Sequence, residues 1–249
     1  MKPVVAVVPL YKPSLDTWEH FSLAFSLQVL AAREVVFIGP GDLDLTYYRR
    51  QFGERAYLPF ESGCFASIPQ YNRLLLDPAF YRRFAGYEFL LVLQTDAIVL
   101  RDELDAWLAK PFDYVGAPWP DGYELLVNAG KFAGALGKRV KVPVGNGGLS
   151  LRRVAKCIAL LEEFGGDILD VFRKTGSSED LFFSVMGALS EDFVLPNEIT
   201  ASLFSLELRP SYYLAVNGGK LPLGAHAWWK YEPALWRDVV GLDRLWPGR

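Results

Sequence analysis

An acid at the carboxyl end of an apolar run is the first chemical signal in this sequence: Phe89-Leu90-Leu91-Val92-Leu93 leads into Gln94-Thr95-Asp96-Ala97. Open α/β sheets bind ligands beyond the carboxyl ends of their strands. A carboxylate there can hold a divalent ion that also takes phosphate oxygens, or it can cap the next turn. The second signal is Gly145-Asn146-Gly147-Gly148, followed by Leu149-Ser150-Leu151-Arg152. Glycines let a backbone approach a ligand closely, and a helix expected from about Leu151 to Phe164 would aim free N–H groups at an anion. A structural turn explains the same residues, and the run is neither a P-loop nor a GxGxxG fingerprint. The third is Ser178-Glu179-Asp180, two acids opening a helix that runs to about Leu189. They complement the helix dipole, and a functional carboxylate would look the same. The fourth is His226 in Gly224-Ala225-His226, one of only two histidines. It is a candidate metal ligand; His20, beside Glu19 in an amphipathic helix, reads as a surface residue.

These residues need a scaffold, and the first hundred positions supply an alternating one. Val4–Val8 is a β-branched run ended by Pro9 and Pro13. Asp16 with Glu19 three residues later matches a capping box, and Trp18, Phe21, Phe25, Val29 and Ala32 recur at helical spacing. Val35–Ile38 reads as a second strand, Tyr47–Phe52, Tyr71–Leu76 and Ala79–Phe84 as helices, and Phe89–Leu93 as a strand covered on both faces. Continuous apolar strands alternating with helices specify a parallel sheet. Beyond residue 100 the pattern changes: Asp102–Lys110 reads as a short helix, Tyr114-Val115 as a short strand ending at Gly116, and residues 120–143 as irregular. The tail after Pro196 reads as short strands and a Trp-rich segment. The expected fold is α/β, a Rossmann-like, mainly parallel sheet flanked by helices in one domain over 1–249. The change of pattern divides it into halves, 1–100 and 101–249.

Composition narrows the function. Hydrophobic residues make up 51% and charged residues 22% of 249 positions, which excludes a disordered chain, a collagen and a coiled coil. The net charge of −3 lacks the basic excess of proteins that live on phosphate backbones, so nucleic acid is not the expected partner. Cys64 and Cys157, with no CxxC, exclude a disulfide scaffold and a thiolate zinc site. No apolar run approaches the ~20 residues of a membrane span. The N-terminal run reads as a strand rather than a signal peptide, and a cytoplasmic location is expected. The aromatic fraction of 14% suits a ligand cleft, a peripheral membrane patch or plain core.

The order of the four signals resembles nucleotide-sugar glycosyltransferases of the GT-A fold, and distantly the inverting β-1,4-galactosyltransferases. More closely the chain resembles a family of uncharacterised proteins predicted to be glycosyltransferases. That resemblance rests on Val8-Pro9, Gln94-Thr95-Asp96-Ala97, Tyr114-Val115-Gly116-Ala117-Pro118-Trp119, Gly145–Arg152, Ser178-Glu179-Asp180 and Gly224-x-His226. It implies transfer of a sugar from a nucleoside-diphosphate sugar, UDP-linked by preference, to a hydroxyl of a glycan or glycolipid. It implies Mn²⁺ or Mg²⁺ held by Asp96 and His226, and Asp180 as general base of an inverting reaction with Glu179 orienting sugar hydroxyls. One departure stands out: the usual Asp-x-Asp is Gln94-Thr95-Asp96, with an amide in place of the first acid.

The donor is expected over the first half, on Pro9, Tyr11 and Lys12 after strand one, on Tyr71, Asn72 and Arg73, and on Gln94, Thr95 and Asp96. The acceptor sugar is expected on Trp119, Asn146, Gly147, Gly148 and Trp228; core packing is the competing explanation for each Trp. Two other functions compete. A non-catalytic carbohydrate- or nucleotide-binding module would need no Asp180. A nucleotidyltransferase would want a second acid near Asp96 and a glycine-rich first turn, which Pro9-Leu10-Tyr11-Lys12-Pro13 lacks. The sequence leaves open the sugar, the acceptor, the oligomeric state and whether this chain is a module of a longer enzyme.

Overall fold

The computed structural model describes residues 1–241. Its main sheet has the order β3-β2-β1-β4-β7-β6. Here β1 is Lys2–Pro9, β2 Val35–Pro40, β3 Ala56–Phe60 and β4 Tyr87–Leu93, all mutually parallel. After β5 (Ala97–Val99), β6 (Tyr114–Val127) and β7 (Lys138–Arg153) close the sheet as antiparallel strands. A second, small sheet has the order β5-β9-β8, from β8 (Ser205–Leu206) and β9 (Gly224–His226). The expected mixed, mainly parallel α/β class holds.

The central strands are apolar throughout because both faces are covered. Val5, Val7, Leu90 and Val92 enter one core cluster; Val4, Ala6, Val8, Leu91 and Leu93 enter the other. The first helix, Thr17–Val29, starts on the expected capping box: the Asp16 side chain accepts from Trp18 and Glu19 N–H, and Glu19 accepts from Asp16 N–H. Leu23 and Leu27 pack toward the sheet, and Phe21, Trp18 and Phe25 toward a third cluster around Trp228 and Trp236. Ala32 lies past the helix end and is exposed. Among the described residues no helix is long and apolar enough to cross a membrane. Cys64 and Cys157 are free thiols.

Four expectations need correction. The strand at Tyr114-Val115 does not stop at Gly116 but runs to Val127. Residues 120–143, read as irregular, form most of a long β6–β7 hairpin. Its Lys138-Arg139-Val140-Lys141-Val142 arm alternates with the period of a strand, which the surrounding Gly and Lys content masked. Gly145–Gly148 is not a turn before a helix: it lies inside β7, and the helix begins only at Val154. The glycines serve close approach, since a Cβ on Gly116 would lie 2.3 Å from the Asn146 carbonyl oxygen. β3, with Pro59 inside it, was not expected at all; as the edge of the sheet it tolerates the missing donor.

Candidate active site

β4 ends at Leu93, and the chain turns through Gln94-Thr95-Asp96 into β5. Gln94 N–H donates to the Gly148 carbonyl at 2.9 Å, fastening this turn to β7. Thr95 points inward, its hydroxyl donating to Glu19 Oε1 at 3.0 Å. Glu19 also pairs with the Lys12 ammonium. Glu19 thus ties the loop after β1 to the loop after β4. The Thr95 hydroxyl is taken up in this buried knot.

Asp96 meets His226 through strand pairing. β5 and β9 are antiparallel with Ala97 opposite His226. The pairing closes a separation of 130 residues, bringing His226 Nε2 to 3.1 Å from Asp96 Oδ1. The other ring nitrogen lies 3.0 Å from Glu207 Oε2 and 3.1 Å from Asn146 Oδ1. Asn146 Nδ2 donates to Glu207 as well. Lys230 Nζ reaches Asp96 Oδ2 at 3.3 Å. Burial alone would raise the Asp96 carboxyl, but His226 and Lys230 outweigh it and hold it down at about 2. Burial would lower the His226 imidazole, but Asp96 and Glu207 push it up to about 10.

β7 separates this cluster from a second one. A Cβ on Gly148 would fall 2.2 Å from His226 Cδ2, whereas one on Gly147 would fall 3.1 Å from Asp180 Cβ and from Glu179 Oε1. Successive side-chain directions alternate along a strand, so the two glycines open opposite faces. On the Gly147 face the helix Glu179–Leu189 begins. Asp180 Oδ2 accepts from Gly147 N–H at 3.1 Å. Burial first, then the charge of Glu179, push the Asp180 carboxyl up to about 6. Glu179 does not face a ligand: it is buried and accepts from Arg152 Nη2 at 2.9 Å. Arg152 is fully buried, donating also to Tyr81 Oη and Ser150 Oγ. Its guanidinium lies over the Tyr114 and Phe183 rings. The expectation that Glu179 orients sugar hydroxyls is therefore replaced by a structural one.

The other expected ligand contacts divide. Tyr11 is exposed, and Lys12 stands over its ring. Burial, with Glu19 and Asp96 nearby, raises the Tyr11 phenol. Pro9 is buried in β1 opposite Ile38 and offers no surface. Tyr71 packs against the core beside Phe65, Asn72 is buried, and Arg73 donates to the Arg173 carbonyl and to Gln70. None of the three has a recorded contact with the Asp96 cluster. Trp119 is half-buried against Gly145 and Tyr123. Trp228 is core, its indole N–H donating to Ser22 Oγ at 2.9 Å. Its neighbour Trp229 is the more open ring, stacked on Trp18 and next to Lys230. Asn146 is occupied in mounting His226. Sequence reasoning read Glu19 only as the acid of a capping box, did not single out Glu207 or Lys230, and gave Arg152 no role.

The cation expectation can be tested on donor chemistry. Asp96 Oδ1 and His226 Nε2 are neighbouring donors, and the Glu207 carboxylate behind His226 is the usual partner of a ligating imidazole. Among the described residues no group of three His, Cys, Asp or Glu gathers to hold a metal. Two protein ligands suit an ion that completes its shell with substrate phosphates and water. Asp96 Oδ1 and His226 Nε2 are an oxygen and a nitrogen donor of the kinds a divalent cation accepts once the imidazole has lost its proton.

Residues 55–226 match a family described as a protein of unknown function, DUF5672. The chain belongs to the DUF5672 family. No curated protein matches this DUF5672 chain in sequence. Among solved structures, the apo form of mouse xyloside xylosyltransferase 1 aligns at 10% identity over 90% of this chain and 97% of that one, TM-score 0.51. An active-site mutant of LgtC aligns at 14% identity over 89% and 86%, TM-score 0.52. At these identities the likeness is of fold, and it gives this DUF5672 chain a glycosyltransferase-like, GT-A-type architecture.

Gly148→Ala is the sharpest local probe of the site. The new methyl overlaps the His226 ring, so the ring must leave Asp96. Its raised titration then falls back toward the ordinary histidine range, read from imidazole resonances against pH. An unchanged His226 titration in Gly148→Ala contradicts the described packing.

Proposed function

We propose that this protein transfers a sugar from a nucleoside-diphosphate donor, a UDP-sugar by preference, to an acceptor hydroxyl, with inversion. The observation that carries this reading is the acid–imidazole pair that β5 and β9 hold at the carboxyl end of β4. Asp180, beside Gly147 with its carboxyl pushed up to about 6, takes the role of base from its place in the Ser178-Glu179-Asp180 motif. The motif order shared with GT-A enzymes, including the inverting galactosyltransferases, supports it. General bases work best with a pKa near the operating pH, and Asp180 meets that requirement.

The acceptor oxygen attacks the anomeric carbon while the bond to the diphosphate oxygen breaks. The acceptor proton passes to Asp180, and the electron pair leaves with the diphosphate. Asp96 and His226 would hold Mn²⁺ or Mg²⁺, and the bound ion would supply Lewis-acid neutralisation of the charge on that leaving group. Glu207 and Asn146 fix the His226 ring, Tyr11 and Lys12 border the donor side, and Trp119 the acceptor side. Arg152 holds Glu179 and so the first turn of the helix that carries Asp180.

A hydrolysis screen of nucleotide sugars with Mn²⁺ and with Mg²⁺ tests the reading: slow cleavage of one donor without acceptor is expected, and no cleavage of any donor together with no nucleotide binding overturns it. Calorimetry with UDP and Mn²⁺ separates the metal assignment. Asp96→Ala is expected to abolish metal-dependent binding, and Glu207→Gln to weaken it about 10–100-fold, as the loss of a hydrogen bond behind a ligating imidazole does. Unchanged titrations in both variants exclude this metal site.

A further inference from the structure

The β6–β7 hairpin carries features that sugar transfer does not use. Its strands pair with Leu125 opposite Val140, Leu126 opposite Arg139 and Glu124 opposite Lys141. Alternation therefore sorts the hairpin into two faces. Val127, Val140 and Val142 are buried in the core cluster, and Leu125 packs against it. On the other face Leu126, Arg139 and Lys141 are exposed, and beyond them Leu136 in the tip is 89% exposed. The hairpin from 121 to 141 holds Lys131, Lys138, Arg139 and Lys141 against Asp121 and Glu124, in a chain that is acidic overall. Arg139 pairs with Glu124, Lys131 with Glu163 and Asp121 with Arg209. Lys138 and Lys141 make no recorded ion pair among the described residues.

We propose that this hairpin docks the protein on an anionic lipid surface, with Leu126 and Leu136 entering the interface and Lys138 and Lys141 meeting lipid phosphates. A soluble acidic protein would complement the cations but gives no reason to leave a leucine in water at the tip. Exposed aliphatics beside unpaired lysines are the pattern of interfacial binding, and each basic residue near an anionic membrane contributes about a factor of five in affinity. The docking strand is also the site strand. β7 runs from Lys138 to Gly147, and on the inner face Tyr123 packs on Trp119, 5.7 Å between ring centroids, whose ring covers Gly145. At the base of the same strand Val142, Val144, Phe193 and Leu195 wall an open groove of about 290 Å³ with Lys141 beside it. If the sugar-transfer reading holds, the hairpin makes the acceptor a lipid-linked one. The docking itself does not depend on that reading.

Sedimentation of the full chain with vesicles, in the absence of any sugar donor, tests the proposal separately from the transferase reading. Phosphatidylcholine vesicles with about a third phosphatidylserine should pull down the protein in low salt, pure phosphatidylcholine should not, and added salt should release it. Lys138→Gln with Lys141→Gln should weaken partition at least about tenfold, and Leu136→Ser should weaken it several-fold. These side chains are exposed, so the melting temperature should not move in either variant. Equal binding of neutral and anionic vesicles, no vesicle binding, or variants that bind like the parent overturn the proposal. So does a dimer in light scattering that Leu136→Ser dissociates while vesicles remain unbound, because the face then serves a second copy of the chain.

Discussion

Asp180→Asn lowers the rate of sugar transfer by about 10²–10⁴, the usual cost of losing a general base, while donor affinity stays within a few-fold. The substitution keeps the shape and one acceptor for the Gly147 N–H but removes the proton-accepting carboxylate. Because burial and Glu179 push this carboxyl up to about 6, above the ordinary aspartate range, activity and stability respond to pH in opposite directions. The rate requires the ionised form and rises as pH passes 6. A carboxyl whose folded pKa lies above its unfolded value contributes stability at low pH, and that contribution is lost as pH rises through 6. Asp180→Asn removes both dependences: transfer becomes slow at every pH, and the melting temperature loses its fall through pH 6, with a small pH-independent decrease because the Leu181 N–H, which donates to Asp180 Oδ1 at 2.7 Å, loses its acceptor. A variant that retains full transfer excludes Asp180 as base. A melting temperature that falls in proportion to activity assigns Asp180 to helix capping instead.

Arg152→Met destabilises the protein by about 3–5 kcal/mol in equilibrium urea unfolding, because it leaves the Glu179 carboxylate buried without a partner. Glu179 is only 5% exposed, and Arg152 also satisfies Tyr81 and Ser150. The double variant Arg152→Met with Glu179→Gln recovers much of the loss, since neither position then buries an unmatched charge. A loss under about 1 kcal/mol for Arg152→Met alone would show that water or another group reaches Glu179. Glu179→Gln by itself is expected to lower stability rather than to change the Michaelis constant for the donor, which distinguishes a core anchor from a sugar ligand.

How far the sequence discloses this arrangement depends on how local each signal is. The capping box at Asp16 and Glu19 and the apolar run ending before Asp96 are fixed by neighbours within a few residues, and both read directly. The helix start at Glu179 was equally legible, but its two acids look alike in sequence. Only Arg152, 27 positions earlier and fully buried against the habit of arginine, separates a core carboxylate from a reactive one. The β6–β7 hairpin was lost because Gly and Lys usually mark loops. Its strands are recognisable only once Leu125, Val127, Val140 and Val142 are known to share one buried face. Glu207 follows a two-residue strand, too short to register as an element. Trp228 and Trp229 are adjacent and chemically identical; the Ser22 hydroxyl that draws one indole inward lies 206 residues away.

The small β5-β9-β8 sheet has a consequence for the order of folding. The strands β3, β2, β1 and β4 all come from within the first 93 residues, so their parallel scaffold can assemble from modest loops. The junction of Asp96 with His226 must close a far longer one, and contacts of high sequence separation form slowly. A chain emerging from the ribosome therefore builds its parallel platform first and carries Asp96 unmatched until β9 arrives. The joining of Asp96 to His226 is a late event of folding.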